Sequence, residues 1–138
     1  NAQTLYAFVS HPAGMIASDS ILFGEYPNPR TYGCFPIVLA EFVRAEKHLK
    51  LPEAIRKMTS FPAQRLGLPD RGLLRNGFKA DIVIFNPDTV KTHATKEDPK
   101  HYPVGIHYVI VNGKVVIENG ENTGVLPGRG LRRGRAST

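Results

Sequence analysis

The stretch IHYVIVNGKVVIENG, residues 106–120, carries the clearest structural signal in the sequence. Two runs rich in β-branched residues flank Asn112-Gly113. This dipeptide is favoured in two-residue type I′ turns because both central residues of such a turn need a positive φ. The sequence therefore predicts an antiparallel β-hairpin centred on this turn.

The neighbouring segments extend the β-rich region. Residues 82–85 (IVIF) predict another strand, which Asn86-Pro87-Asp88 ends as a turn. Residues 86–105 form a long polar connection with three prolines. From Glu121 onward glycine and arginine dominate, so we expect an extended or frayed tail.

The first half of the chain has helical patterns instead. Residues 35–49 place apolar side chains at helical spacing, and Pro36 suits the first turn of that helix, where its missing N–H is harmless. A second helix is predicted from about Pro52 to Met58, with Glu53–Lys57 as a favourable i,i+4 pair on its surface.

A third, shorter helix is predicted within TSFPAQRLGL, residues 59–68. Ser60 is a candidate cap, Pro62 lies in the first turn, and Gly67 ends the helix. Before these helices, GMIA (residues 14–17) predicts a short buried strand.

These patterns divide the chain into a helical part (1–70), a β-rich part (71–120) and a basic Gly/Arg-rich tail (121–138). One short strand gives the helices little sheet to cover, and three strands make a thin sheet. We therefore expect the chain to be the end of a longer protein.

Composition is ordinary for a folded soluble protein, with 41% hydrophobic and 22% charged residues among 138. No apolar run approaches the ~20 residues that span a bilayer, and no secretory signal is visible at the N-terminus. The single cysteine, Cys34, excludes an internal disulfide and is compatible with a reducing compartment. We expect a cytoplasmic protein that does not bind membranes.

The net charge of +6 raises the question of nucleic-acid binding. Much of the excess lies in four arginines of the tail: Arg129, Arg132, Arg133 and Arg135. Elsewhere basic residues alternate with acidic ones, which is typical of a solvated helix surface. Since no nucleic-acid-binding motif is present, we do not expect nucleic acid as a partner.

The candidate site lies in ASDSILFGEYPNPRTYG, residues 17–33. Asp19 follows the predicted strand directly, and Arg30 stands in the loop eleven residues later. On local pattern alone, Ser-Asp-Ser is common turn chemistry, which favours a structural role for Asp19 over a catalytic one. The five histidines show no H-x-H or H-E-x-x-H spacing.

Several motifs occur in an order that resembles the C-terminal portion of the N-acyl-D-amino-acid deacylases, or D-aminoacylases, of the amidohydrolase superfamily. Motifs shared with the superfamily are AIRKMTSFPAQRLGL (54–68), ADIVIFNP (80–87) and VNGKVV (111–116). Those that point to the deacylases are SD (18–19), PRTYGCFP (29–36) and TGVLPGRGLRRG (123–134).

The resemblance implies an α/β fold in which this chain supplies the end of a (β/α)₈ barrel and part of a small β-sandwich. Residues 14–19 would be the eighth barrel strand, and the helices from Pro36 to Leu66 would pack against the barrel. Residues from about 71 to 118 would be the C-terminal strands of the sandwich.

The resemblance also implies a function: zinc-dependent hydrolysis of the amide bond of N-acyl-D-amino acids. Asp19 would be the general base and acid beside the metal, and is also a candidate metal ligand. Arg30 would bind the substrate carboxylate, and Tyr32 would line the pocket. The other zinc ligands would lie upstream, so the chain alone would be inactive.

Two positions depart from the family pattern: Ser20 stands where glycine usually follows the aspartate, and Asn28 where histidine is frequent. Two alternatives stay open. One is a different amidohydrolase, similar to dihydropyrimidinases or allantoinases. The other is a non-catalytic β-rich binding module with a basic tail.

Overall fold

The computed structural model describes residues 2–21 and 23–132 of the chain. Helices come first and an antiparallel sheet follows, so the expected mixture of helix and sheet is observed. Within the described ranges, no helix combines the length and the apolar character that crossing a membrane requires. Arg133 and Arg135 of the predicted tail lie outside the described residues.

The helical part contains four α-helices and one π-helical segment among the described residues. They are α1 (Ala2–Ser10), α2 (Arg30–Ile37), the π-helical segment (Val38–Ala45) that continues α2, α3 (Leu51–Met58) and α4 (Ser60–Leu66). The predicted second helix is confirmed as α3, and Gly67 ends α4 with a left-handed φ of 70°. Ser60 as a cap is wrong, because Thr59 is the N-cap and no side chain caps the helix.

The predicted position of Pro36 is wrong. Helix α2 begins earlier than expected, at Arg30, so Pro36 lies inside it. A proline within a helix has no N–H to donate to the preceding turn and disturbs the backbone there. The helix changes to π-helical geometry two residues later, at Val38.

The hydrophobic core lies between the helices. Val38, Leu49 and Ala54 form a buried cluster, and partly buried apolar side chains surround it: Val9, Ile16, Val43 and Met58. The cluster thus joins α1, the π-helical segment and α3 to the segment that leads to Asp19.

The predicted strand at residues 14–17 is wrong for the chain as it stands. These residues have no strand pairing and are exposed or half-buried. A strand forms only where a second strand supplies the hydrogen-bond ladder. Here the Ile16 N–H donates instead to the carbonyl of Lys57 on α3, at 3.1 Å.

The sheet is an antiparallel meander in the order β1-β2-β3-β4. Its strands are β1 (Ile82–Phe85), β2 (Ile106–Val111), β3 (Lys114–Glu118) and β4 (Glu121–Asn122). The hairpin is confirmed: Asn112 and Gly113 have φ of 48° and 76°, as a type I′ turn requires.

Strand β4 was not predicted, although its turn, Asn119-Gly120, repeats the dipeptide of the first hairpin with φ of 52° and 86°. Of the expected extended or frayed tail, residues 121–127 are not frayed but bonded to the hairpin. Thr123 donates its N–H to the Val116 carbonyl at 3.0 Å, and the Asn112 side chain donates to the Pro127 carbonyl at 2.8 Å.

The sheet remains open to solvent. Strand residues are exposed or half-buried throughout, including Val83 at 51% and Ile84 at 48% exposure. Arg44 of the π-helical segment ties the helices to the end of β1 by donating to the Pro87 carbonyl at 2.7 Å.

Candidate active site

The segment of residues 11–19 is held by helices on two sides. The Lys57 ammonium of α3 donates to the carbonyls of His11 and Gly14, and Arg56 donates to the Pro12 carbonyl at 3.2 Å. On the other side, the Cys34 thiol of α2 lies 3.6 Å from the Ala17 carbonyl and donates to it. Asp19 is the last residue of this held segment.

Asp19 and Arg30 are in direct contact. Arg30 Nη2 lies 3.1 Å from Asp19 Oδ2, and Arg30 Nε donates to the Asp19 backbone carbonyl at 3.2 Å. The Asp19 side chain is 83% exposed and the Arg30 side chain is 47% exposed. Because exposed ion pairs contribute only about 0–1 kcal/mol to stability, both groups remain open to a ligand.

The backbone of Asp19 has φ of 45°, one of four non-glycine residues in the described ranges with positive φ. Aspartate tolerates this left-handed conformation better than most residues. Ser20, where the family usually has glycine, does not share it. The serine that stands in place of the family's glycine is therefore not forced into a left-handed conformation.

Arg30 is oriented by the residues just before it. The Asn28 side-chain oxygen accepts the Arg30 N–H at 3.1 Å, and α2 begins at Arg30. Asn28 thus fixes the start of the helix that carries the guanidinium. This gives a structural role to the position where the family frequently has histidine.

Tyr32 lies apart from the pair. It follows Arg30 by two positions on α2, which is about 200° around the helix. Its half-buried ring makes an edge-to-face contact with exposed Tyr102, with centroids 5.6 Å apart. The structure therefore joins Asp19 to Arg30 and joins Tyr32 to the connection between β1 and β2.

Cys34 packs beneath the loop. Burial raises the pKa of its thiol, while the nearby Arg30 guanidinium opposes that shift. A half-buried thiol with a raised pKa is a poor nucleophile at neutral pH. This favours the packing role over a chemical one.

The described residues do not form a zinc site by themselves. No three His, Cys, Asp or Glu side chains in that part of the chain come together as a metal ion would need, and a zinc hydrolase needs about three protein ligands. Asp19 is an exposed carboxylate that could supply one such ligand.

Sequence reasoning missed the burial of Lys57, which it treated as a surface partner of Glu53. The side chain is 0% exposed. A signal was present, because Lys57 follows Ala54 by three positions and so shares the buried face of α3. Tyr102 was also missed, and nothing in its local sequence distinguishes it.

Comparison with known proteins places these features in a family. Residues 15–117 match the model of the amidohydrolase family. The N-acyl-D-aspartate deacylase of Alcaligenes xylosoxydans xylosoxydans is 44% identical over 128 residues, which are 92% of this chain and 26% of that protein.

Two crystal structures are also similar. A D-aminoacylase superposes with a TM-score of 0.88 at 38% identity, covering 91% of this chain and 26% of that one. The other is the N-acyl-D-glutamate deacylase of Bordetella bronchiseptica, complexed with zinc and a phosphonate that mimics the tetrahedral intermediate of the reaction. It superposes with a TM-score of 0.82 at 38% identity, covering 84% of this chain and 24% of that one.

The chain spans about a quarter of the length of these relatives. The resemblance seen in its motifs to the N-acyl-D-amino-acid deacylases is confirmed by both comparisons. Because the family match covers most of the 138 residues, the chain belongs to the amidohydrolase family.

Proposed function

We propose that residues 1–138 act within a longer zinc-dependent amidohydrolase that cleaves the amide bond of N-acyl-D-amino acids. The observation that carries this proposal is the contact between Asp19 and Arg30 at 3.1 Å, with both side chains open to solvent. A proton acceptor and a carboxylate receptor thus lie side by side, as hydrolysis of an N-acyl amino acid requires.

Asp19 performs the proton transfers. It accepts a proton from the water that adds to the amide carbonyl carbon, and it returns that proton to the nitrogen as the C–N bond breaks. The products are a carboxylate and a free amino acid. The carboxylate is exposed, and the backbone before it is held by α2 and α3.

Arg30 binds the α-carboxylate of the substrate. A guanidinium presents several N–H donors in a planar fork that matches a carboxylate with two hydrogen bonds. In the structure this fork is turned toward Asp19. Substrate binding therefore exchanges one carboxylate for another, which releases Asp19 for proton transfer.

The remaining parts of the site come from sequence beyond residues 1–138. The relatives are about four times longer than this chain, and the zinc in the Bordetella structure belongs to such a longer protein. We propose that segment 14–19 becomes the eighth barrel strand beside strands of that portion, and that residues 71–118 belong to a β-sandwich.

Exposed apolar side chains near the site support a covering portion, because large exposed apolar patches mark surfaces that contact other protein. They lie between Asp19 and Arg30 in sequence and include Ile21 at 60%, Phe23 at 86% and Tyr26 at 76% exposure. We propose that Tyr32 lines the pocket on the side of Tyr102. We also propose that the protein is cytoplasmic.

The test compares variants of the complete enzyme on N-acetyl-D-methionine. Asp19→Asn lowers kcat by about 10²- to 10⁴-fold, as expected for loss of a general base. Arg30→Met lowers kcat/KM by about 10- to 100-fold through loss of a charged hydrogen bond. The loss shrinks on a substrate analogue whose carboxylate is replaced by a neutral amide.

Full activity of Asp19→Asn would contradict the proposal. A parent enzyme that hydrolyses cyclic amides and leaves N-acyl amino acids intact would show a different amidohydrolase. Salt-sensitive binding of nucleic acid that is lost on removal of residues 129–135 would instead support a binding module.

The purified 138-residue chain is expected to be inactive on its own. Mixing it with the remaining portion of the enzyme restores turnover if the two parts associate. Hydrolysis by the chain alone, abolished by Asp19→Asn, would show that the chain needs no further residues.

A further inference from the structure

Lys57 is the only buried charged residue in the described part of the chain, with 0% exposure. A buried ammonium is stable only where its N–H groups have acceptors. Lys57 Nζ has two backbone acceptors, the carbonyls of His11 and Gly14, the latter at 2.9 Å. Both belong to the segment that ends at Asp19.

The ion pair with Glu53 is the weaker of these contacts. Lys57 Nζ lies 3.9 Å from Glu53 Oε1, beyond hydrogen-bonding distance. Both Glu53 oxygens accept from Arg56 at 2.8 Å instead. The Lys57 ammonium is therefore directed at the backbone of residues 11–14 rather than at its helical neighbour.

The backbone of Lys57 holds the same segment at a second point. Its carbonyl accepts the Ile16 N–H at 3.1 Å, three residues before Asp19. One residue of α3 thus contacts the segment through both its side chain and its main chain. The rotation and height of residues 14–16 relative to α3 are set by these bonds.

We infer that Lys57 is a positioning residue for Asp19, an inference that rests on the proposed function. Misplacing a reacting group by about 1 Å can reduce rate by about 100-fold. Lys57 does not touch substrate. It acts by holding the segment so that the Asp19 carboxylate lies where the proton is transferred.

Gly14 provides an independent way to disturb the same contact. A Cβ at this position would lie 2.7 Å from the Phe8 carbonyl oxygen and 3.2 Å from that of His11. Gly14→Ala therefore displaces the segment while the Lys57 charge is retained. Gly128→Ala is the matched control, since a Cβ there meets nothing within 4 Å.

The experiment measures steady-state kinetics of the complete, zinc-loaded enzyme, normalised to folded protein and zinc content. Lys57→Met is compared with Lys50→Met, an exposed lysine at the start of the same helix. We expect Lys57→Met to lower kcat by about tenfold or more, with KM changed by less than about threefold. Lys50→Met leaves both unchanged.

The same substitution is then made in the Asp19→Asn background. If Lys57 acts through Asp19, its effect on kcat falls below about twofold there, because the group that it positions is gone. A purely structural role predicts the same loss in both backgrounds. Equal losses, or no loss of kcat in Lys57→Met, would overturn the inference.

Gly14→Ala carries the test if Lys57→Met does not fold. We expect the same fall in kcat, again suppressed by Asp19→Asn, and no fall in Gly128→Ala. Unchanged kcat in Gly14→Ala would overturn the inference. Full activity of Asp19→Asn alone would instead contradict the proposed function and leave Lys57 with nothing to position.

Discussion

The sheet of residues 82–122 and the held segment of residues 11–19 are stabilised by different kinds of contact. In the sheet, each strand pairs with the next one in sequence, and two Asn-Gly turns reverse the chain. The held segment depends on side chains far away in sequence, as Lys57 lies 46 and 43 residues from its two acceptors.

The difference separates local from long-range causes. A hairpin is specified by its own turn and by the alternation of its strands. Asp19 is placed by contacts that α2 and α3 make with residues 11–19. Changes in the sheet should therefore have local effects on stability, whereas changes in α3 should reach the candidate site.

The largest effect on stability is expected for Lys57→Met. The substitution removes two hydrogen bonds donated by a charged group, to the carbonyls of His11 and Gly14, at about 1.5–3 kcal/mol each. The His11 carbonyl still accepts the Gly14 N–H at 2.9 Å. We expect a loss of about 2–4 kcal/mol in the free energy of unfolding, measured by denaturant titration. Lys50→Met changes it by less than about 0.5 kcal/mol. Equal effects of the two substitutions would show that the buried Lys57 ammonium does not stabilise the held segment.

A smaller effect is expected for Gly113→Ala in the hairpin turn. Gly113 has φ of 76°, a conformation that costs an L-residue about 1–2 kcal/mol. We expect a corresponding loss of stability with kcat of the complete enzyme unchanged. Gly128→Ala, in open space, serves as the control. A fall in kcat for Gly113→Ala would show that the sheet also positions the site.

The smallest effect is the pH dependence of the Glu53–Arg56 pair on α3. The Arg56 guanidinium holds the pKa of Glu53 below its ordinary value of 4.5, and Lys57 adds to this. The pair therefore contributes stability above about pH 4.5, and this contribution is lost as pH falls through the lowered pKa.

This dependence is measured as the difference in Tm between the wild type and Glu53→Gln. We expect the difference to be constant near neutral pH and to shrink below about pH 4.5. Glu97→Gln, at an exposed position in the connection before β2, is the control. A difference that does not shrink anywhere below about pH 4.5 would show that Glu53 stabilises α3 without its charge.

The sequence was sufficient for features with local causes. Strands β1 to β3, helix α3 and the end of α4 at Gly67 were predicted, because alternation, helical periodicity and glycine turns act within a few residues. The second turn, Asn119-Gly120, has the same local signal in the sequence, although β4 was not predicted.

Features with long-range causes were not predictable in the same way. Pro36 indicated a helix start, but the Asn28 side chain begins the helix six residues earlier, at Arg30. Residues 14–17 have the composition of a strand, yet within the described chain they bond to α3 and α2. For the site, the motifs indicated Asp19 and Arg30, whereas their contact became visible only in three dimensions.

The most direct test of the account is a crystal structure of the complete enzyme with a phosphonate mimic of an N-acyl-D-amino-acid substrate. We expect the Arg30 guanidinium to donate to the ligand carboxylate at about 2.7–2.9 Å, and an Asp19 oxygen to lie within about 3.2 Å of a phosphonate oxygen. A ligand carboxylate bound elsewhere, with Arg30 still on Asp19, would contradict it.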